Sequence, residues 1–205
     1  MSTHPRKIGL LGGSFDPVHL GHMFIGLDAL EALGLDEIWY IPAARSPHKA
    51  ANPLASDVDR VAMLRCALAP EPRFRLWAGE LELPPPSYTW RTLEKLITEH
   101  PDARFFWIIG ADQFQALPRW SRIEHVAALV EFAVLARPGY DLTPPAIPGL
   151  RHHRIEQAHP IGVSSTEIRE RAAAGKSIDF MLPPGVGLYL REHALYVDID
   201  RHDRT

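Results

Sequence analysis

The chain has 205 residues, 46% apolar and 23% charged, enough to bury a full core and too ordinary in composition for a disordered or fibrous polypeptide. A formal charge of −3 offers no general attraction to a polyanion, so nucleic acid is not an expected partner. The single cysteine, Cys66, excludes an intrachain disulfide and reads as a core thiol on a helix face.

Residues 1–7 run straight into a short apolar stretch with no signal-type core or cleavage site, and no later run reaches membrane-spanning length. The expectation is a cytoplasmic protein without membrane attachment. Short apolar runs at 8–11, 38–41, 74–77, 105–109 and 132–135 predict buried strands. Between them, residues 20–33, 57–68, 90–99 and 123–130 carry apolar side chains at helical spacing. This alternation predicts an α/β fold: one doubly wound, Rossmann-like domain over 1–205, a parallel sheet with helices on both faces. The proline-rich stretches 84–86 and 143–148 read as stiff surface connections. In such sheets ligands bind outside the carboxyl ends of the strands.

The loop after the first strand reads Gly12-Gly13-Ser14-Phe15-Asp16-Pro17-Val18-His19-Leu20-Gly21-His22. Paired glycines allow close backbone approach, and Asp16-Pro17 suits a helix N-cap and first turn. A helix N-terminus there offers free N–H groups and a positive dipole end to phosphate. His19 and His22, three apart, are expected on one helical face, donating to triphosphate oxygens, with Gly21 keeping the backbone open to the ligand. A glycine pair alone is an ordinary turn, and a lone histidine is most often a satisfied core or surface residue. Two histidines without a third ligand make a poor zinc site, so no protein-bound metal is expected. The spaced glycines of the dinucleotide fingerprint and a Walker-type Gly-Lys-Ser are both missing.

Near the other end, Gly162-Val163-Ser164-Ser165-Thr166-Glu167-Ile168-Arg169 begins a helix that Gly175 is expected to end. Ser164 or Ser165 can cap it, and Ser164 with Glu167 fits a capping box. The remaining hydroxyls and Arg169 can receive a phosphate. Between the two segments lie Ser46-Pro47-His48-Lys49, Ser87-Tyr88-Thr89-Trp90-Arg91, Gly110-Ala111-Asp112-Gln113 and Leu117-Pro118-Arg119-Trp120. Lys49 can neutralise phosphate, Trp120 can stack on a pyridine ring, and Thr89 with nearby backbone N–H groups can receive a carboxylate. Asp112 is placed for a ribose hydroxyl, and Arg137 is a weaker phosphate candidate.

The first segment resembles the His-x-Gly-His signature of the nucleotidyltransferase superfamily, and 163–169 is similar to its Ile-Ser-Ser-Thr-x-Ile-Arg motif, with Val163 at the first place. The intervening segments resemble the Pro-His-Lys, Ser-Tyr-Thr, Gly-x-Asp and tryptophan markers of bacterial nicotinate mononucleotide adenylyltransferases. The likeness covers nearly the whole chain; Trp90-Arg91 departs from the aliphatic and acidic pair of many relatives. It implies adenylyl transfer from ATP, with magnesium, to nicotinate mononucleotide, releasing pyrophosphate. It places ATP on Gly12, Gly13, Ser14, Phe15, His19 and His22, on Gly110 and Asp112, and on Ser164, Ser165, Thr166 and Arg169. It places the acceptor on His48, Lys49, Tyr88, Thr89, Trp120 and Arg137, and gives His19, His22 and Lys49 the catalytic roles. Two other readings stand beside it: a phosphopantetheine adenylyltransferase, generally shorter, and a non-catalytic nucleotide sensor. A homo-oligomer is compatible with all three.

Overall fold

The computed structural model describes residues 4–45, 53–137, 139–156, 159 and 161–197. Strands β1 (Arg6–Gly13), β2 (Glu37–Pro42), β3 (Phe74–Leu76), β4 (Ala103–Gly110), β5 (Glu131–Leu135) and β6 (His152–Ile155) form one sheet. Their order is β3-β2-β1-β4-β5-β6, and the pairings are parallel throughout. Seven helices are described: α1 (Leu20–Ala32), α2 (Asp57–Leu68), α3 (Thr89–Glu99), α4 (Ala111–Ala116), α5 (Ile123–Leu129), α6 (Ser165–Ala173) and α7 (Pro184–Glu192). From β1 the chain winds toward β3, then crosses back to lay β4 against the other side of β1. The strand order therefore reverses between β1 and β4, and a crevice opens outside their carboxyl ends, at Gly12-Gly13 and Gly110.

Side chains alternate along each central strand, as the two-residue repeat requires, and because both faces are covered both sets are apolar. Leu11, Ile38, Tyr40, Phe106, Ile108 and Leu135 face α1, α2, α6 and α7 through Leu30, Met63, Leu64, Ile168, Val186 and Leu190. Leu10, Trp39, Ile41, Trp107, Ile109 and Val134 face α3, α4 and α5 through Leu93, Leu96, Phe114 and Val126.

The five expected strands and the helical segments all form, with edges shifted by a few residues: β3 stops at Leu76 and α3 starts at Thr89. The stretches 84–86 and 143–148 are irregular, as read. Cys66 is half-buried rather than fully in the core, packed beside Gly185 of α7. Three elements were not anticipated. β6, His-His-Arg-Ile, sits at the sheet edge with one strand neighbour and only Ile155 buried, so it lacks the apolar run of a central strand. α4 has six residues, too few for a period. α7 begins Pro-Gly-Val-Gly, a poor helix former, and is held by tertiary contact: Val186 and Leu190 in the core, and the Tyr189 hydroxyl donating to Asp59 Oδ1 at 2.9 Å.

Candidate active site

The chain leaves β1 through a tight turn in which Phe15 has φ +48°, the left-handed region a non-glycine residue seldom occupies, and the Asp16-Pro17 peptide is cis. Helix α1 begins only at Leu20, with His19 as its N-cap, so Asp16 is not the cap. Its carboxylate, 5% exposed, instead accepts hydrogen bonds from the backbone N–H groups of Leu54 (2.9 Å) and Ala55 (3.0 Å) and from the Tyr196 hydroxyl (2.6 Å). A buried carboxylate must find donors, and three that converge on it outweigh a local cap.

His19 and His22 do come together, as cap and third helical residue rather than as two residues of one helical face. Their ring centroids are 3.8 Å apart, and the His19 N–H donates to His22 Nδ1 at 3.3 Å. A backbone N–H only donates, so Nδ1 of a neutral His22 is the acceptor and Nε2 carries the proton. His19 is 7% exposed, and burial pulls its pKa down to about 4, which keeps the ring neutral at pH 7. A Cβ on Gly21 would stand 3.0 Å from Cε1 and Nδ1 of His19, so this glycine makes room for the ring. His22 is held from below: the Tyr40 hydroxyl donates to its carbonyl at 3.1 Å, and the buried Phe15 ring meets its imidazole edge-on at 4.9 Å. Tyr40 reaches this position because Gly26 has no side chain in its way.

The second motif docks on the first. Ser164 is the N-cap of α6, its hydroxyl accepting from the Glu167 N–H at 3.2 Å. Ser165 donates to the carbonyl of Pro17 at 2.9 Å, and Arg169 to the carbonyl of Asp16 at 2.7 Å and to the Thr166 hydroxyl at 3.3 Å. Two helix N-termini from opposite ends of the chain are thus fixed against one turn. Gly175, at φ +68°, follows the last turn of α6 as expected. From behind, Arg60 of α2, fully buried, donates to the Ser14 carbonyl at 2.7 Å and pairs with Asp57. Sequence periodicity gave Arg60 no role, since an arginine on an amphipathic helix reads as solvated.

A cleft of about 2030 Å³ runs over these groups and is lined by residues of both motifs, by Gly110, Asp112 and Arg137, and by Tyr88, Thr89 and Trp120. This exceeds the few hundred to about 1,000 Å³ of a single-ligand pocket and has room for two nucleotides. Asp112 lies in the first turn of α4, with Arg137 3.6 Å away beyond the end of β5. Tyr88 and Thr89 form the N-terminus of α3, and Trp120 follows a short 3-10 turn, Leu117–Arg119. His48 and Lys49 lie outside the described residues.

Buried Glu80 was also missed by the sequence reading. It accepts from the Thr92 hydroxyl and from Ser87, and desolvation raises its pKa. Ser87 in turn accepts from the N–H groups of Ala44 (3.0 Å) and Arg45 (3.3 Å), tying the loop after β2 to the start of α3. Arg91 does not line the cleft. It donates to the Pro84 carbonyl at 3.2 Å and lies over the rings of Tyr88 and Trp90, 5.3 and 5.0 Å from their centroids, while Arg122 covers Trp90 at 4.1 Å. Trp90 and Arg91 thus belong to a cation–π cluster and do not line the cleft.

Residues 10–171 match the family model described as cytidylyltransferase-like. A relative from Geobacillus kaustophilus (strain HTA426), named probable nicotinate-nucleotide adenylyltransferase, is 42% identical over 93% of this chain and 86% of its own. Another of the same name from Methylacidiphilum infernorum is 36% identical over 95% of this chain and 94% of its own. Among solved structures, the Plasmodium falciparum nicotinic acid mononucleotide adenylyltransferase complexed with NaAD matches with a TM-score of 0.74 and 21% identity over 93% of this chain and 97% of that one, a likeness of fold. With most of the chain matched at this identity, it belongs to the nicotinate-nucleotide adenylyltransferase family of cytidylyltransferase-like proteins.

Proposed function

We propose that the chain, as one domain, transfers the adenylyl group of ATP to nicotinate mononucleotide, giving nicotinate adenine dinucleotide and pyrophosphate. The observation that carries this reading is the convergence on one cleft of two phosphate-suited helix N-termini, α1 and α6, with a third, α3, and Trp120 lining the same cleft. The triphosphate lies across α1 and α6, where His19 and His22, Ser164, Ser165, Thr166 and Arg169 meet its oxygens. Gly12, Gly13 and Ser14 border it, and Asp112 at Gly110 takes a ribose hydroxyl. The acceptor's pyridine stacks on Trp120, and its carboxylate meets the N–H groups and Thr89 hydroxyl at the start of α3. His48, Lys49 and Arg137 are the proposed partners of its phosphate.

An acceptor phosphate oxygen attacks the α-phosphorus of ATP in line. The new P–O bond forms as the bond to the β-phosphate bridging oxygen breaks, and pyrophosphate leaves with that oxygen. The acceptor phosphate is already anionic at neutral pH, so no protein nucleophile is required and catalysis rests on positioning and on stabilising developing charge. Two imidazoles, hydroxyls and a guanidinium suit phosphate oxygens rather than a hard cation, and among the described residues no three His, Cys, Asp or Glu gather as a metal site. Magnesium, proposed to arrive on the triphosphate, would be held by phosphate oxygens and water and supply charge neutralisation. Among the described residues no helix is long and apolar enough to cross a membrane, and we place the protein in the cytoplasm, acting on small molecules, with self-association compatible.

The test is to incubate the protein with ATP, magnesium and each of nicotinate mononucleotide, nicotinamide mononucleotide and phosphopantetheine, identifying the product by mass. Nicotinate adenine dinucleotide with stoichiometric pyrophosphate is the expected outcome; dephospho-coenzyme A alone, or binding without turnover, overturns it. On the nucleotide side, Ser165→Ala is expected to raise the KM for ATP about 3- to 10-fold, and Arg169→Ala about 10- to 150-fold, the scales of a neutral and a charged hydrogen bond. The KM for the acceptor should change far less, and steady-state kinetics with each substrate varied in turn checks this.

A further inference from the structure

Asp28 lies in the middle of α1, 6% exposed, where an unpaired carboxylate would be costly. Its described partners both belong to His159, in the segment between β6 and the Ser164 cap: the His159 backbone N–H at 2.8 Å from Oδ2, and ring Nδ1 at 2.5 Å from Oδ1. The same ring stands 4.8 Å from that of Phe24, one turn earlier on α1. Helix α1 thus holds the imidazole by one edge and one face. The side chain is still 55% exposed and lines the cleft.

A carboxylate only accepts, so Nδ1 carries the proton, and in the neutral ring Nε2 is left as an acceptor. Position selects what it meets. Asp28 is six residues beyond His22, about 9 Å along α1 at 1.5 Å per residue. The ring lines the same cleft as both helix starts, and an acceptor there suits an N–H or O–H of the nucleoside rather than a phosphate oxygen. Isoleucines 25 and 161 line the cleft beside it and suit a flat ring.

We infer that His159, oriented by Asp28, accepts a hydrogen bond from the nucleoside end of ATP and thereby contributes to the choice of nucleotide. This rests on the ATP site proposed above. The donor is an N–H or O–H of the nucleoside, with two sources: the exocyclic amine of adenine or a ribose hydroxyl. Asp28 is a positioning residue, since it acts through His159.

Equilibrium binding without acceptor tests the assignment, because no turnover is then involved. The ligands are ATP, purine riboside triphosphate, which lacks the amine, and the 2′-deoxy and 3′-deoxy forms of ATP. His159→Phe keeps a ring on Phe24 but loses the nitrogen, and should weaken ATP binding about 3- to 10-fold, the scale of one neutral hydrogen bond. The KM for the acceptor should stay at the wild-type value, while the thermal midpoint should fall, because Asp28 keeps only the backbone N–H of residue 159. The loss should vanish for the one analogue that lacks the donor, which identifies the source. His159→Gln, whose amide oxygen can still accept, should recover part of the affinity, and Asp28→Asn should show a smaller loss than His159→Phe. ATP affinity within twofold of wild type in folded His159→Phe, or an equal loss for all four ligands, overturns the contact. Wild-type protein that binds none of them would instead refute the ATP site itself.

Discussion

Replacing His19 or His22 by alanine is expected to lower turnover by at least ~100-fold in a protein that still folds, the scale of one lost transition-state donor. Both rings sit at the N-terminus of α1, 3.8 Å apart, where the proposed reaction must accommodate negative charge as the α-phosphorus is attacked. His19 is buried and held near pKa 4, so it acts as a neutral donor at pH 7, and the bond from its N–H to His22 Nδ1 directs the other imidazole's proton outward on Nε2. Turnover measured at saturating substrates, with circular dichroism of each variant, checks this; near-normal turnover in both folded variants would refute the roles given to the two rings. The same burial has a consequence for stability. Burial holds folded His19 near pKa 4 against the usual 6.5 of histidine, so the unfolded chain takes up the proton first as pH falls. The stability linked to this ring is full above about pH 6.5 and is lost as pH falls toward about 4. His19→Ala should therefore flatten the decline of the denaturation midpoint between pH 7 and pH 5.

The elements that could be read from the sequence are those whose pattern follows from burial. Central strands such as β4 are covered on both faces and appear as apolar runs, and a helix such as α2 shows its buried stripe in its spacing. The two motifs were legible because glycine, histidine and serine at a strand-to-helix junction have few other uses. What could not be read was set by partners distant in sequence. Asp16 follows the local rule for a cap and breaks it because Leu54, Ala55 and Tyr196 converge on its carboxylate. Arg60 reads as solvated and is fully buried because the turn after β1 leaves the Ser14 carbonyl for it. The Asp28–His159 pair spans 131 residues, and neither member lies in a recognisable motif. Arg91 sits two residues from the expected acceptor contact Thr89, yet the helical rotation of α3 turns it away from the cleft.

Nicotinate mononucleotide should be used about 5- to 150-fold better than its amide, judged by kcat/KM. At the proposed acceptor end, the carboxylate meets the N-terminus of α3, where Tyr88 and Thr89 line the cleft and the helix dipole favours negative charge. The amide exchanges one accepting oxygen for an NH₂ donor. With its oxygen on the Thr89 hydroxyl, its NH₂ faces backbone N–H groups that cannot accept, and an unpaired buried polar group costs roughly 1–3 kcal/mol, the origin of the range above. Trp120 would stack on either pyridine and leave the ratio alone. Arg91 is the side chain a charge argument would choose, and the structure removes it: its guanidinium bonds the Pro84 carbonyl and lies over Tyr88 and Trp90 outside the cleft. Arg91→Ala should accordingly keep the acid-to-amide ratio within about twofold of wild type, since the site carboxylate gains no direct charge from it. Specificity constants for both acceptors, in wild type and in Arg91→Ala, check the two statements separately. Equal use of acid and amide by wild type would sink the donor-lined pocket, and a ratio that collapses in Arg91→Ala would show that charge from behind Tyr88, rather than the helix N-terminus, makes the selection.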